Sequence, residues 1–210
     1  MGYLEEGNAD AIWLCSNKKT NILLLGDSIR LGFEPLFKEL TENEFSVFSP
    51  DENCCMSQNI IISLKRWSNM FDFPEKVDVI HFNCGHWDAA HWLNSSEPVT
   101  SVGEYEKNIG IIIDILKRLF PNAKIIFATT TPMNPVDPIG HSENPRTNPD
   151  IDIYNTVGAK EAKEHGIYVN DLNSFCRGWG EEAYADYCHF TKESYKKIAE
   201  YTAKFIKDIL

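Results

Sequence analysis

The 210 residues carry 20 lysines and arginines against 31 aspartates and glutamates, a net charge of −11, with 43 % apolar and 24 % charged side chains. A chain of this size can bury a core of its own without disulfides or a structural metal, and its length fits one domain. Its acidity argues against nucleic acid or an anionic membrane as the main partner, because both require a basic footprint.

Met1 to Thr20 reads as an N-terminal extension ahead of a single domain over 21–210. It holds Glu5, Glu6 and Asp10 before any basic residue and no apolar run of signal-peptide length. The six cysteines (Cys15, Cys54, Cys55, Cys84, Cys176, Cys188) show no C-x-x-C spacing, which fits free thiols in a reducing compartment, the cytoplasm. Asn21 to Gly26 is a continuous apolar run ending in glycine, the pattern of a strand buried on both faces. Ile29 to Leu40 follows as a helix, with Leu36, Phe37 and Leu40 on its apolar face. Phe45–Phe48 is a second strand, Ser57–Trp67 a second helix and Val77–Phe82 a third strand. From Tyr105 to Phe120, Ile109, Ile112, Ile113, Leu116 and Leu119 recur at helical spacing; Gly110 and Asp114 exclude a membrane span there. Lys124–Thr129 is a fourth strand, Asp152–His165 a helix closed by Gly166, Ile167–Val169 a fifth strand and Lys192–Ile209 the last helix. Between them, Thr130 to Asp150 holds Pro132, Pro135, Pro138, Pro145 and Pro149 and reads as a long loop. Alternating strands and helices predict an α/β fold: a three-layer α/β/α sandwich around a five-stranded parallel sheet, with ligands at the carboxyl ends of the strands.

Three segments at those ends carry chemistry. Gly26-Asp27-Ser28 opens the first helix, where backbone N–H groups favour developing negative charge, although Asp or Ser there is commonly a helix cap. Asp186-Tyr-Cys-His189 precedes the last helix. A serine hydroxyl needs a general base, histidine titrates in the right range, and an aspartate three residues away can fix its tautomer. Val77 to Asp88 places Asn83, Gly85 and Trp87 at and beyond the end of the third strand. A buried amide there satisfies loop backbone or faces a ligand, and a glycine admits close approach. His81, His86, His91 and Asp88 lack an H-E-x-x-H pattern, so neither metal nor cofactor is expected.

Together N-I-L-L-L-G-D-S-I-R, I-I-F-A-T-T-T-P and D-Y-C-H-F-T-K-E-S-Y-K-K-I-A-E-Y occur in the order of the SGNH, or GDSL-type, hydrolase superfamily, which the chain resembles from Asn21 onward. The resemblance implies a flavodoxin-like sheet and serine-dependent hydrolysis of esters or thioesters, with deacetylation of carbohydrates common. It implies Ser28 as nucleophile, His189 as base and Asp186 as its orienting partner. The oxyanion would be held by the Ser28 N–H, a main-chain N–H in the second block and an Asn side chain in the third. This sequence departs from that pattern twice: the second block, Ser49 to Met56, has no glycine, and the third reads Gly85-His-Trp-Asp88. Cys54 (or Cys55) and Asn83 are the replacements it offers, the latter as in a subset with Asn-x-Gly-x-x-Asp. Asp27, Gly85 and Trp87 are the expected substrate contacts. The resemblance implies a small-molecule or saccharide ester as substrate, with lysophospholipase or thioesterase activity, or a non-catalytic binding module, as alternatives. Oligomeric state is left open.

Overall fold

The computed structural model describes residues 12–137 and 143–210; residues 1–11 of the expected extension and Pro138 of the proline-rich segment lie outside them. Five strands, β1 (Thr20–Leu25), β2 (Phe45–Phe48), β3 (Val79–Phe82), β4 (Lys124–Ala128) and β5 (Tyr168–Asn170), form one parallel sheet in the order β2-β1-β3-β4-β5. Ile22 pairs with Val47 on one side and Val79 on the other, which fixes β1 between β2 and β3, with β3 as the central strand.

Because strand side chains alternate, consecutive residues of β1 enter different layers. Leu23 and Leu25, with Ile80, Phe82, Ile125 and Phe127, pack under α2 (Ser57–Ser68), α3 (Val102–Leu119) and α4 (Asn148–Glu164). Ile22 and Leu24, with Val79, Ile126 and Ala128, pack under α1 (Ser28–Thr41), α5 (Leu172–Cys176) and α6 (Lys192–Ile209). The fold is therefore the three-layer α/β/α sandwich that the alternation of segments predicts. Among the described residues no helix is long and apolar enough to cross a membrane.

The departures are local and have clear causes. Helix α3 begins three residues before Tyr105, because Ser101 and Glu104 form a reciprocal capping box. Thr147 and Asp150 do the same for α4, with Pro149 in its first turn, so the expected loop ends earlier than Asp150. Val77 and Asp78 fall outside β3; Asp78 instead accepts the Asn21 N–H at 2.7 Å. Helix α5, not anticipated, is capped by Asp171. On α1 the buried face is Ile29, Phe33 and Phe37, while Leu40 is 47 % exposed. The extension packs on the core where it is described. Trp13 donates to Met70 O at 2.9 Å and sets its ring 4.9 Å from that of Phe71.

Helices α1 and α6 lie side by side on one face, joined through Phe33, Phe37, Tyr195, Ile198 and Ala199. Full burial of an aromatic ring such as Phe33 contributes about 2–3 kcal/mol. Gly32 lets Tyr195 lie flat against α1: a Cβ at Gly32 would come 2.1 Å from the ring. Gly32→Ala is therefore expected to force the helices apart and cost about 1–3 kcal/mol, as an overpacked contact does; chemical denaturation of the two proteins checks this.

Candidate active site

Asp27 and Ser28 sit where β1 ends and α1 begins. Asp27 is the N-cap, its Oδ1 accepting the Ile29 N–H at 3.0 Å, so Ser28 is the first helical residue. An N–H in that position has no acceptor within its own helix. The partly buried Ser28 Oγ lies 2.7 Å from His189 Nε2, although 161 residues separate them. His189 Nδ1 lies 2.7 Å from Asp186 Oδ2, so in the neutral ring Nδ1 carries the proton and Nε2 is left to accept from Ser28.

The turn that presents His189 is built by the same aspartate. Asp186 Oδ1 accepts the backbone N–H of Cys188 at 2.8 Å and of His189 at 2.7 Å. Burial works to raise the Asp186 carboxyl, but these two N–H groups and the imidazole outweigh it and hold it below the usual aspartate value. Phe190 then anchors the turn among Trp179, Tyr184 and Tyr195, and Thr191 caps α6. The Cys188 sulfur, 3.7 Å from Nδ1, and the Asp186 carboxylate favour the imidazolium over the opposing effect of burial, and raise His189 to about 9.

The proline-rich segment flanks this turn. Asn134 donates from its backbone to Tyr187 O at 2.9 Å and from its side chain to Asp186 O at 3.2 Å. From the far end of the segment Arg146 reaches in, its Nε donating to His86 Nδ1 at 3.3 Å and its Nη2 to Cys188 Sγ at 3.5 Å. Since arginine can only donate, His86 carries its proton on Nε2 and gives it to Thr131 Oγ1 at 3.2 Å. Burial first, then the charges of Arg146 and His189, hold His86 neutral.

The remaining expected contacts are held in the following ways. The Cys54 N–H donates to Gly26 O at 3.0 Å and so is turned away from an incoming oxyanion, and the Cys55 N–H is taken by Asn53 Oδ1 at 2.8 Å. Cys55 nonetheless adopts the left-handed backbone (φ 54°) that glycine takes most easily. Asp27 is fully buried as a cap and has no surface to offer a substrate; burial raises its carboxyl against the hydrogen bonds from Asn83 and Ile29. Gly85, at φ 141°, is required by Thr130, whose Oγ1 would lie 2.2 Å from a Cβ there. Asn83 is buried beside the Gly26–Ser28 turn and donates to Asp27 Oδ1 at 3.0 Å, which leaves it one N–H. Trp87 stacks on Trp92 with ring centres 5.2 Å apart. Asp88 accepts the Ser57 N–H at the start of α2 at 3.1 Å, and burial raises it to about 6.

Arg146 and Cys188 escape a reading of motifs. The available signal is that Arg146 is the single lysine or arginine between Lys124 and Lys160. Among the described residues, Asp186, Cys188 and His189 form the group whose potential metal-ligand atoms lie within 4.8 Å of one another. Their short Asp186–His189 hydrogen bond and the adjacent guanidinium both oppose a cation there.

Comparison with known proteins places the chain in a family. Residues 57–197 match the GDSL-like Lipase/Acylhydrolase family, and the chain belongs to it. A search of curated proteins returns no match. Among solved structures, the lipase/acylhydrolase from Enterococcus faecalis is similar in fold, with a TM-score of 0.73 and 20 % identity over 91 % of this chain and 97 % of that one. The acetyl xylan esterase AlAXEase follows at 0.71 and 17 % identity, over 89 % and 99 %. A GDSL-like lipase from Bacteroides thetaiotaomicron VPI-5482 follows at 0.68 and 16 %, over 93 % and 91 %.

Histidine must be neutral to accept the serine proton. With His189 raised to about 9, kcat/KM for an aryl ester is expected to climb with pH along a limb whose midpoint lies well above 6.5. A midpoint at or below 6.5, after subtraction of base-catalysed background, contradicts this.

Proposed function

We propose that the chain hydrolyses carboxylic esters through an acyl-enzyme on Ser28. The observation that carries this reading is the pair of 2.7 Å contacts linking Ser28 Oγ, His189 and Asp186. Ser28 Oγ attacks the ester carbonyl carbon as its proton passes to His189 Nε2. Asp186 keeps Nδ1 protonated and stabilises the imidazolium. The Ser28 N–H at the start of α1 and the remaining N–H of Asn83 receive the oxyanion, each such donor being worth about 3–4 kcal/mol of barrier in a well-studied case. His189 returns the proton to the leaving alcohol, and water releases the acyl group by the reverse sequence.

For the alcohol, a saccharide has one observation in its favour. Trp87 and Trp92 stack near-parallel, and Trp92 is 41 % exposed on a loop held to the proline-rich segment by the His91 N–H to Pro145 O bond. Such a flat aromatic surface suits the apolar face of a sugar ring, and the similar acetyl xylan esterase acts on an acetylated polysaccharide by its name.

Ser28→Ala is expected to lower hydrolysis of 4-nitrophenyl acetate by at least about a thousandfold and to abolish labelling by a fluorophosphonate; hydrolysis that survives unchanged would remove the nucleophile. Trp92→Ala is expected to raise KM for an acetylated xylo-oligosaccharide about two- to tenfold, more than for 4-nitrophenyl acetate. Equal effects on both substrates would separate the tryptophan pair from sugar binding.

A further inference from the structure

Arg146 is 7 % exposed, and a guanidinium stays charged at any physiological pH. Burying such a charge is costly unless it is paired. Arg30, also buried, has Glu34; Arg66 has Glu52 and Arg177 has Asp152. Arg146 has no carboxylate within ion-pair distance among the described residues. Its partners are the neutral His86 Nδ1, the Asn144 carbonyl at 3.3 Å and Cys188 Sγ, with the Tyr187 ring centre 5.5 Å from Cζ. Asp27 feels its charge, but Asp27 Oδ2 is itself without a partner, so the two do not meet. In a chain of net charge −11, a buried arginine without a carboxylate beside it is conspicuous.

The donors that remain are informative. A guanidinium has five N–H groups. Three are used, one on Nε and one on each Nη, which leaves one N–H on each Nη. Two adjacent donors of this kind fit a carboxylate or another oxyanion in bidentate fashion. The Nη2 contact, Cys188 Sγ, is 3.7 Å from His189 Nδ1, so the unfilled valence lies one side chain from the catalytic imidazole.

We propose that Arg146 forms a subsite for a carboxylate, or a group of like charge and shape, carried by the ester substrate. This rests on the reading of the chain as a Ser28 esterase, and it narrows the substrate to an anionic ester. The charge belongs to the acyl group or to the alcohol. Both place an oxyanion on the guanidinium while Ser28 meets the carbonyl carbon.

The test compares two matched pairs of esters. Mono-4-nitrophenyl adipate against 4-nitrophenyl hexanoate puts the charge on the acyl side; 4-acetoxybenzoate against its methyl ester puts it on the alcohol. In at least one pair, kcat/KM for the charged ester is expected to exceed that of its neutral partner by about tenfold or more. Arg146→Gln should bring that ratio near one, and Arg146→Lys, which keeps charge in case the glutamine protein misfolds, should retain part of it. A merely structural role would lower both members of a pair together and leave the ratio unmoved, which would overturn the proposal, as would equal rates in both pairs. Calorimetric binding of adipate and of benzoate to Ser28→Ala, with and without Arg146→Lys, separates the two levels. An esterase with no charge preference and no such binding fails the subsite alone. Absent hydrolysis with arginine-dependent binding of either anion fails the esterase reading and keeps the subsite.

Discussion

The contact of α1 with α6, closed by Tyr195 lying on Gly32, sets the distance between two residues that the chain keeps far apart. Ser28 is the first residue of α1, and His189 stands three residues before α6, so each side chain inherits its place from the end of a helix. If the helices slid by one residue, about 1.5 Å, the Ser28–His189 hydrogen bond would be lost. The buried rings around that contact, Phe33, Phe37, Phe190 and Tyr195, thus do more than fill a layer. They hold a polar contact to within a few tenths of an ångström by apolar means.

Around that contact, histidines of identical chemistry have been given opposite characters. His189 is half-exposed, faces a carboxylate and is inclined to take a proton. His86 is fully enclosed, faces an arginine and is held neutral. His81, deep in β3, is lowered to about 4 by burial and accepts from Asn170. The difference lies in what each ring meets: solvent and anion for the first, cation for the second, apolar core and an amide for the third.

Much of this was legible in the sequence, for identifiable reasons. Asn21 to Gly26 announces β1 because a strand covered on both faces must be apolar throughout, and the Gly-Asp-Ser turn follows by necessity at its end. Asp186 and His189 are legible because three residues of chain suffice to bring a carboxylate onto an imidazole. Main-chain direction is not written so plainly. Whether the Cys54 amide faces Gly26 or a substrate depends on the dihedrals of Asn53 to Cys55, and the left-handed residue there is a cysteine rather than the glycine that would mark it. Arg146 is hidden for another reason. Its meaning comes from the absence of an acidic neighbour in space, and only a folded chain has such neighbours. The helix starts at Val102 and Asn148 were available as Ser101-x-x-Glu104 and Thr147-x-x-Asp150, but apolar spacing alone points one turn downstream.

The strand order has a consequence for the life of the chain before it is a hydrolase. With β2 added to one edge of β1 and then β3, β4 and β5 added in turn on the other side, the sheet can assemble as the polypeptide leaves the ribosome, each new strand finding an edge already formed. Ser28 is laid down early in that sequence and His189, the partner of its hydroxyl, 161 residues later. A nascent chain therefore displays Ser28 without the imidazole that meets its hydroxyl. The Ser28–His189–Asp186 arrangement is complete only when the residues from Asp186 to Ile209 have emerged and docked, so it forms as the fold itself is completed.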